Sequence, residues 1–556
     1  MGLTDRRIGL LFAIFLLLLC IAAARAMWLG GVQANSLQRA ANTQQVDEIE
    51  VPARRGTITD RHGVELAVSE PASDVAVTPY LVKQPLKVAK QLAPYLEDTE
   101  AELLRKLNRR DTGFIYLGRK VGGSQAAAIR KLKIEGIQMI PTSRRAYPRR
   151  WLGGQVLGAV GTDGDGLSGL EYGQQKVLGG KDGKRRIVKD ALGEPITVQE
   201  TERAVSGKDI QLTLDAQLQD KVEDVLAEVG QVWRPKGATA VVMNPHNGAV
   251  LAMANWPRID ANDIAGAPDY ASQNRAVGFN YEPGSTFKAF TVAGALQEGV
   301  VGPDDNFHLP PTIKVADREI GEAHDRGTID LSTSQILSQS SNVGTVRVGQ
   351  RLGERRFDRW VRRFGFGSRT GIELPGEESG QVLKLDKYSG SSMGNLPIGQ
   401  GESVTPMQLA TAYSAIANGG VLLRPRIISK SRGEPTAKPS GRRVLSGRTA
   451  AQIRKMLEGV LAANGTASQA AIDGYTLAGK TGTANKIETS GLDKGEYSKT
   501  RYIASFAGFA PARRPKLLVT VMVDEPHGEI YGSEVAAPAF QEIMRFALPY
   551  LGIAPG

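Results

Sequence analysis

One apolar segment near the N-terminus constrains this chain more than any other feature. From Ile8 to Ala24 the sequence has 17 residues without a charge, and with Met27 and Trp28 it reaches the ~20 residues that span a bilayer core. It predicts a transmembrane helix over residues 8–26, preceded by a cytoplasmic stub (residues 1–7) and followed by a juxtamembrane spacer (residues 27–50). The triplet Ala24-Arg25-Ala26 also fits a signal-peptidase site. A retained anchor is favoured because signal peptides usually have only ~7–15 apolar residues.

The rest of the chain has the composition of a protein that folds in water. Its 41% hydrophobic and 23% charged residues are close to globular averages. Because almost nothing precedes the apolar segment, we expect the N-terminus to be cytoplasmic and the remaining residues, roughly 530, to be extracytoplasmic. The length predicts more than one domain. Short strand-like runs mixed with helical ones indicate an irregular α+β domain over residues 51–205. The residue pattern changes near Gly207, which indicates a domain boundary there.

A second domain is predicted over residues 206–556. Asp215 is a suitable N-cap for a helix over residues 215–229, and another helix closes the chain near residues 536–547. The pair Asn247-Gly248 is a hairpin signal between two apolar runs. Five segments are strand-like: 238–243, 249–254, 475–484, 502–508 and 517–523. The predicted fold class is α+β, with a five-stranded antiparallel sheet packed against helices.

Charge and metal-binding residue types exclude several functions. The formal charge of +11 suits an anionic partner, but no run of Lys and Arg with interleaved aromatic residues points to nucleic acid, so we expect no nucleic-acid partner. Cys20 is the single cysteine and lies inside the apolar segment. The five histidines are scattered without metal-ligand spacing. We therefore expect no metal site and no cofactor.

Ser285 and Lys288 form the first candidate catalytic pair. Pro283-Gly284 predicts a turn, and residues 286–298 predict a helix, which places Ser285 at a helix N-terminus. Lys288 is three residues later on the same face, so its amine would lie near the hydroxyl. An amine made neutral by burial can accept the proton of a nucleophilic serine. A Ser-x-x-Lys spacing alone is a weak signal, since an exposed capping serine and a solvated lysine give the same pattern.

Two further motifs follow in the chain. Ser340-Ser341-Asn342 falls between segments 330–339 and 343–352, both predicted to be helices, where polar side chains can point into a cleft. Ser272-Gln273-Asn274 matches the same pattern, so context must decide between the two. Lys480-Thr481-Gly482-Thr483 lies within a predicted strand, where glycine allows a ligand backbone to approach closely. Each motif alone is explained equally well by ordinary surface structure.

Together, in this order, the three motifs resemble the set of the penicillin-binding proteins and serine β-lactamases. The stretches Pro397-Ile-Gly-Gln-Gly401 and Thr405-Pro406 are similar to the same transpeptidase domain. In the N-terminal domain, the resemblance is to the pedestal or dimerisation domain of class B penicillin-binding proteins, in segments 55–63, 145–148 and 166–171. Segments 474–482, 502–508 and 531–538 look most like division-specific members.

The resemblance implies a reaction and a role for each motif residue. The implied substrates are peptidoglycan stem peptides that end in D-Ala-D-Ala, with β-lactams as inhibitors. Ser285 would be the nucleophile, Lys288 its base, and Ser340 a proton relay to the leaving amine. Asn342 would orient the donor peptide, Lys480 and Thr481 would hold its carboxylate, and Gly482 would let it approach. The backbone N–H groups of Ser285 and Thr483 would form an oxyanion hole.

The resemblance also implies a location and partners. The protein would lie in the bacterial plasma membrane at the division septum, with a septal glycan polymerase and other division proteins as partners. Alternatives remain: an elongation-type transpeptidase, a catalytically inactive scaffold, or a β-lactamase or carboxypeptidase, which would need an activated water. An α/β-hydrolase is a further alternative, because Gly390-Ser-Ser392-Met-Gly394 matches Gly-x-Ser-x-Gly and His527 follows it.

Overall fold

The computed structural model describes residues 3–29, 46–189, 195–437, 440–488 and 494–555. The chain divides into two compact units. Unit 1 comprises Met1–Arg54 and Gly180–Ser206, and unit 2 comprises Arg55–Gly179 and Gly207–Gly556.

Unit 1 contains the predicted membrane anchor. A helix runs over Leu3–Met27. Its segment Ile8–Met27 has a mean hydropathy of 2.6 and no buried side chains, so by length and composition it can cross a bilayer. A three-stranded antiparallel sheet completes the unit, formed by Val46–Val51, Gly183–Lys189 in the middle, and Pro195–Glu202. The predicted spacer over residues 27–50 lies mostly outside the described residues, and its last residues belong to the first strand of this sheet.

The N-terminal lobe of unit 2, residues 55–179, is built around one long strand. Glu65–Val77 pairs antiparallel with both Ile115–Gly122 and Ile137–Ala146. The helices of the lobe are Pro85–Leu92, Glu100–Leu107, Gly123–Lys131, Gly154–Leu157, Gly169–Gly173 and Gln175–Leu178, with 3-10 turns at Pro79–Leu81 and Ala93–Tyr95. A capping box between Thr99 and Glu102 starts the second of these helices. Apolar residues of the strands and first three helices form a separate core cluster.

Buried ion pairs fix the loops of this lobe. Glu171 is fully buried and its carboxylate lies 2.5 Å from Arg55 Nε and 2.6 Å from Arg145 Nε. The Tyr147 hydroxyl donates to the same carboxylate, and burial raises the pKa of this hydroxyl. The segments that resemble the class B pedestal domain in sequence therefore meet at one carboxylate.

One sheet joins the N-terminal lobe to the rest of unit 2. Ile210–Leu212 pairs parallel with Ile58–Thr59 and antiparallel with Ile428–Ser431, which also pairs with Glu434–Pro435. Ile58–Thr59 then pairs with the long strand Glu65–Val77. Because these strands share a sheet, residues 55–179 and 207–556 form one compact unit. The division into domains 51–205 and 206–556 stays a prediction.

The central sheet of unit 2 has the predicted five antiparallel strands. In spatial order they are Val250–Trp256, Gly237–Met243, Leu517–Asp524, Tyr497–Ala510 and Ala478–Ile487. Every residue of Gly237–Met243 and of Leu517–Asp524 is buried, because helices cover both faces of the sheet. This double burial explains why these strands are continuous apolar runs in the sequence.

Two groups of helices cover the central sheet. Ala216–Trp233 and Gly532–Tyr550 share one core cluster, which includes Val242 and Val519. Lys288–Gln297, Pro406–Ala417 and Gly447–Glu458 belong to the other cluster, which includes Val241 and Leu518. The Asp215 side chain caps the helix Ala216–Trp233, as predicted, by accepting a hydrogen bond from the N–H of Leu218.

Shorter elements form the rest of unit 2. The remaining helices are Asp269–Ser272, Arg275–Gly278, Thr333–Ser338, Asn342–Leu352, Glu354–Arg363 and Ser392–Asn395. The 3-10 turns are Gly284–Phe287, Leu385–Lys387, Leu396–Ile398 and Ser468–Ala470. The remaining strands are Asn306–Leu309, Thr312–Val315, Arg318–Gly321, Ile329–Ser332, Val421–Leu423 and Gly441–Arg443.

The prediction of a helix over residues 330–339 was wrong for its first turn. Ile329–Ser332 is a strand that pairs with Asn306–Leu309, and the helix covers only Thr333–Ser338. Ser332 starts it through a capping box with Gln335. This strong N-cap, and the strand partner far away in sequence, set the boundary.

Candidate active site

Ser285 lies in a 3-10 turn that leads directly into a helix. The turn covers Gly284–Phe287 and the α-helix Lys288–Gln297 continues from it, so the regular helix begins two residues later than predicted. The Thr286 hydroxyl donates to the carbonyl of Pro283 at 2.7 Å and closes the turn. Gly284 has a φ of 54° and its N–H donates to the carbonyl of Gly399. Ser285 itself is partly exposed.

Aromatic packing holds this segment in place. Phe287 and Phe290 are buried and pack edge to face, with ring centroids 5.5 Å apart. The fully buried Tyr413 packs against Phe290, and its hydroxyl donates to the carbonyl of Thr286 at 2.7 Å. The backbone next to Ser285 is therefore fixed by core contacts on the side away from solvent.

Lys288 links the first motif to the second. Its side chain is fully buried, and its Nζ donates to the Ser340 carbonyl at 2.6 Å and to the Asn342 Oδ1 at 2.6 Å. The Ser340 hydroxyl lies 3.2 Å from the same nitrogen. Burial lowers the pKa of Lys288 to about 7, against the opposing charge of Glu322. An amine with this pKa is substantially neutral at physiological pH and can act as a base.

The second motif is a strained turn. Ser340 has a φ of 59°, in the left-handed region that a serine rarely adopts. Asn342 is the first residue of the helix Asn342–Leu352, and Ser341 caps that helix by accepting from the N–H of Gly344. The conformation directs both the carbonyl and the hydroxyl of Ser340 toward Lys288. Residues in such conformations cluster at functional sites, because the surrounding structure must impose them.

Glu322 holds this turn and was missed by the sequence reasoning. Its carboxylate accepts from the N–H of Asn342 at 2.7 Å, from the N–H of Val343 at 3.3 Å and from the Ser341 hydroxyl at 2.6 Å.

Electrostatics favour the charged form of Glu322. Arg326 pairs with it at 2.5 Å. Although burial raises the pKa of Glu322, these hydrogen bonds and the nearby cations outweigh it, and the pKa is lowered. The position also suits an anion, because it is the N-terminus of an eleven-residue helix. The only sequence signal near Glu322 is its i,i+4 spacing to Arg326. This spacing does not predict a contact between Glu322 and Asn342.

The third motif lies on the edge strand of the central sheet. Ala478–Ile487 pairs only with Tyr497–Ala510 within that sheet, so its other edge faces the 3-10 turn of Ser285. A Cβ built on Gly284 would stand 2.8 Å from the carbonyl oxygen of Thr483. That carbonyl therefore faces the turn, and in an antiparallel strand the N–H of the same residue points the same way. The N–H of Thr483 is thus directed toward the Ser285 segment.

Gly482 is required by close packing. A Cβ there would lie 2.4 Å from the Ser505 hydroxyl and 2.9 Å from the carbonyl of Pro283. The strand can approach the nucleophile turn only because this position has no side chain.

Lys480 is completely buried, unlike the carboxylate-binding lysine that the resemblance implies. Its Nζ lies 3.2 Å from both the carbonyl and the hydroxyl of Thr481. Burial, and to a smaller extent the charge of Lys288, lower the pKa of Lys480 well below its usual value. The Thr481 hydroxyl also contacts the Thr466 hydroxyl at 3.2 Å. The Lys480 amine therefore lies behind Thr481 rather than open to solvent.

The competing motifs do not assemble into a site. The Ser392 hydroxyl accepts from the N–H of Ser389 at 2.8 Å, whereas the His527 ring contacts the carbonyl of Arg234. Asn274 caps the short helix Arg275–Gly278. Of the two Ser-x-Asn matches, the one at Ser340 contacts Lys288.

Comparison with models of known protein families identifies the family to which this chain belongs. Residues 238–545 match the penicillin-binding protein transpeptidase domain, and residues 50–212 match the penicillin-binding protein dimerisation domain. The chain belongs to the class B penicillin-binding proteins. This penicillin-binding protein is 36% identical to the stage V sporulation protein D of Bacillus subtilis, over 90% of its own chain and 79% of that relative. It is 33% identical to the peptidoglycan D,D-transpeptidase FtsI of Escherichia coli, over 99% of its own chain and 92% of FtsI.

Solved structures have the same fold as this penicillin-binding protein. The crystal structure of penicillin-binding protein 3 from Mycobacterium tuberculosis, complexed with aztreonam, superimposes with a TM-score of 0.72 at 30% identity. The match covers 91% of this chain and 98% of that one. The α+β fold predicted from the sequence is thus confirmed, together with the resemblance that the motifs indicated.

Proposed function

We propose that this penicillin-binding protein is a peptidoglycan D,D-transpeptidase that cross-links stem peptides during septal cell-wall synthesis through an acyl-enzyme at Ser285. The observation that carries the proposal is the contact of the buried Lys288 amine with Ser340 and Asn342, one helical turn after Ser285. The relatives named as D,D-transpeptidases support the reaction.

In the first half-reaction, the Ser285 hydroxyl attacks the carbonyl of the penultimate D-Ala while the neutral Lys288 amine takes its proton. The N–H groups of Ser285 and Thr483 stabilise the oxyanion. Collapse of this intermediate breaks the peptide C–N bond. Ser340 delivers the proton from Lys288 to the leaving amine, D-Ala departs, and an ester to Ser285 remains.

In the second half-reaction, the amine of another stem peptide attacks the ester. It loses a proton to the same relay, the new amide forms, and the Ser285 hydroxyl is restored. Asn342 orients the donor peptide, which lies along the edge strand over Gly482. Thr481 contacts the terminal carboxylate, and the buried Lys480 amine positions the Thr481 hydroxyl through its contact with it.

The test is a cross-linking assay with the purified full-length protein and stem pentapeptides. Mass spectrometry should detect a cross-linked dimer and one released D-Ala for each link. Hydrolysis products alone would indicate a carboxypeptidase, and no product from a folded protein would indicate a scaffold. Imaging of a tagged copy should place it at midcell, whereas an elongation-type enzyme would follow the side wall.

The rate of acylation should depend on pH through Lys288. Its amine acts as a base only when neutral, and with a pKa of about 7 the neutral fraction rises with pH and reaches only about 1% at pH 5. We therefore expect the second-order rate constant for β-lactam acylation to rise through a midpoint near pH 7 and level off above it. Stopped-flow measurements with circular dichroism as the control for folding would show this. Equal rates at pH 5.5 and 8.5 would exclude Lys288 as the base.

Glu322 should act as a positioning residue for the second motif. In Glu322→Gln the amide nitrogen faces backbone donors, so the turn loosens and acylation should slow on the order of tenfold. The negative charge of Glu322 raises the pKa of Lys288, so its removal should also move the midpoint of the pH profile to lower pH. Glu319→Gln, an exposed neighbour, is the matched control. A slower reaction with an unchanged midpoint would leave Glu322 a purely structural role.

The anchor should be retained in the mature protein. Residues 8–26 would cross the plasma membrane with the N-terminus in the cytoplasm and the catalytic part outside. The partners are a septal glycan polymerase and other division proteins. We expect the protein to fractionate with membranes, and N-terminal sequencing to find the original start. Met27 as the first residue would show cleavage instead.

A further inference from the structure

A cavity of about 430 Å³ lies outside the residues of the Ser285 site. Its walls come from the end of the helix Glu354–Arg363, the loop that follows it, and the paired strands Val421–Leu423 and Gly441–Arg443. We call this cavity the arginine pocket. Its size is within the range of small-molecule sites, about 300–1,000 Å³, and exceeds what a single inorganic ion needs.

Four arginines line the arginine pocket: Arg362, Arg369, Arg424 and Arg442. Among the described residues, no Asp or Glu lines this pocket. Arg362 pairs with Asp358 outside the lining. Arg424 donates to the carbonyl of Gly371, and Arg442 to the backbone carbonyl of Arg362, so these two guanidinium groups are positioned without being neutralised.

The remaining positive charge is concentrated. Within the described part of the chain, no carboxylate forms an ion pair with Arg369, Arg424 or Arg442. Burial and the neighbouring Arg363 lower the pKa of Arg442, as expected where cations crowd one another. The buried Glu377 carboxylate, which accepts from the N–H and hydroxyl of Thr370 in the lining, offsets part of this charge. The arginines still leave the cavity with a net positive charge, which calls for an anionic ligand.

The other surfaces of the pocket narrow the ligand class. The partly exposed Leu422 and Leu423 form an apolar part of the lining, and Ser368 and Ser440 add hydroxyl groups near the arginines. Guanidinium groups match the oxygens of phosphate in a bidentate geometry, and Arg is the residue of choice for phosphate recognition. An apolar wall beside the cations suits an organic group attached to the anion.

We propose that the arginine pocket binds a phosphorylated organic molecule that presents a diphosphate group. The diphosphate lies against Arg369, Arg424 and Arg442, and the organic part lies against Leu422 and Leu423. Such a molecule is either water-soluble or linked to a lipid. The pocket shares none of its lining residues with the Ser285 site, so the inference does not depend on the transpeptidase reaction.

Calorimetry on the full-length protein in detergent tests the proposal with inorganic pyrophosphate as the probe. We expect saturable binding at one site that weakens as ionic strength rises. The double variant Arg369→Gln/Arg442→Gln should bind at least tenfold more weakly. Arg355→Gln is the matched control, because Arg355 is an exposed arginine that does not line the pocket. This variant should bind pyrophosphate as tightly as the parent protein. Circular dichroism reports whether each variant is folded, and Arg369→Gln alone replaces the double variant if that one does not fold.

Further ligands distinguish a lipid-linked molecule from a water-soluble one. Geranyl diphosphate that binds more tightly than pyrophosphate would indicate a lipid-linked ligand, and equal affinities would indicate a soluble one. Citrate, a carboxylate of similar charge, should bind more weakly. Citrate binding as tight as pyrophosphate, no saturable pyrophosphate binding, or equal affinities for the parent protein and the double variant would overturn the proposal.

Discussion

Ser285→Ala should abolish covalent labelling of this penicillin-binding protein by β-lactams while leaving its fold intact. Ser285 lies in the 3-10 turn that faces the edge strand carrying Thr483, three residues before the buried Lys288, so its hydroxyl is the one placed to form the ester. A β-lactam keeps its leaving amine tethered, so the acceptor cannot enter and the adduct persists. Loss of one partly exposed hydroxyl should lower the free energy of unfolding by only about 1 kcal/mol.

Peptide mapping by mass spectrometry is the measurement. Ser392→Ala is the matched control, since Ser392 belongs to the competing Gly-x-Ser-x-Gly pattern and its hydroxyl contacts Ser389. It should label normally. Lys288→Ala should label very slowly although the nucleophile is present. An adduct on the peptide that carries Ser392 would support the hydrolase alternative, and persistent labelling of Ser285→Ala would remove Ser285 from the mechanism.

Lys480→Ala should slow acylation by penicillins on the order of 100-fold, because it removes the contact that positions the Thr481 hydroxyl and leaves a void in the core. The Lys480 amine is fully buried and contacts the Thr481 hydroxyl, so the loss should affect ligands that bear a carboxylate most.

The measurement is stopped-flow acylation with a penicillin and with an analogue that has no carboxylate. Lys499→Ala, an exposed lysine on the neighbouring strand, is the control and should react normally. Thermal melting separates slow chemistry from loss of fold. A normal acylation rate in folded Lys480→Ala would remove Lys480 from the site.

Many of the strands and helices could be predicted from the sequence, because they depend on residues that are close together in the chain. The strands Gly237–Met243 and Leu517–Asp524 were found from apolar segments, since strands covered on both faces need apolar residues at successive positions. The helix at Asp215 was found because an N-cap is a short-range contact. The helix at residue 330 was misplaced because its first residues pair with Asn306–Leu309, a partner that no local window contains.

The sequence by itself determined the N-terminal apolar helix, the α+β class and the three motifs, because each depends on residue types within a few positions of one another. Only the tertiary structure decided that Lys288 contacts Ser340 and Asn342, that Ser340 adopts a left-handed conformation, and that Glu322 holds the turn. It also decided that Lys480 is buried, and that Ile210–Leu212 joins the lobe and the catalytic part in one sheet. These features depend on contacts between segments far apart in the chain and on the desolvation they impose, and neither is encoded in local spacing.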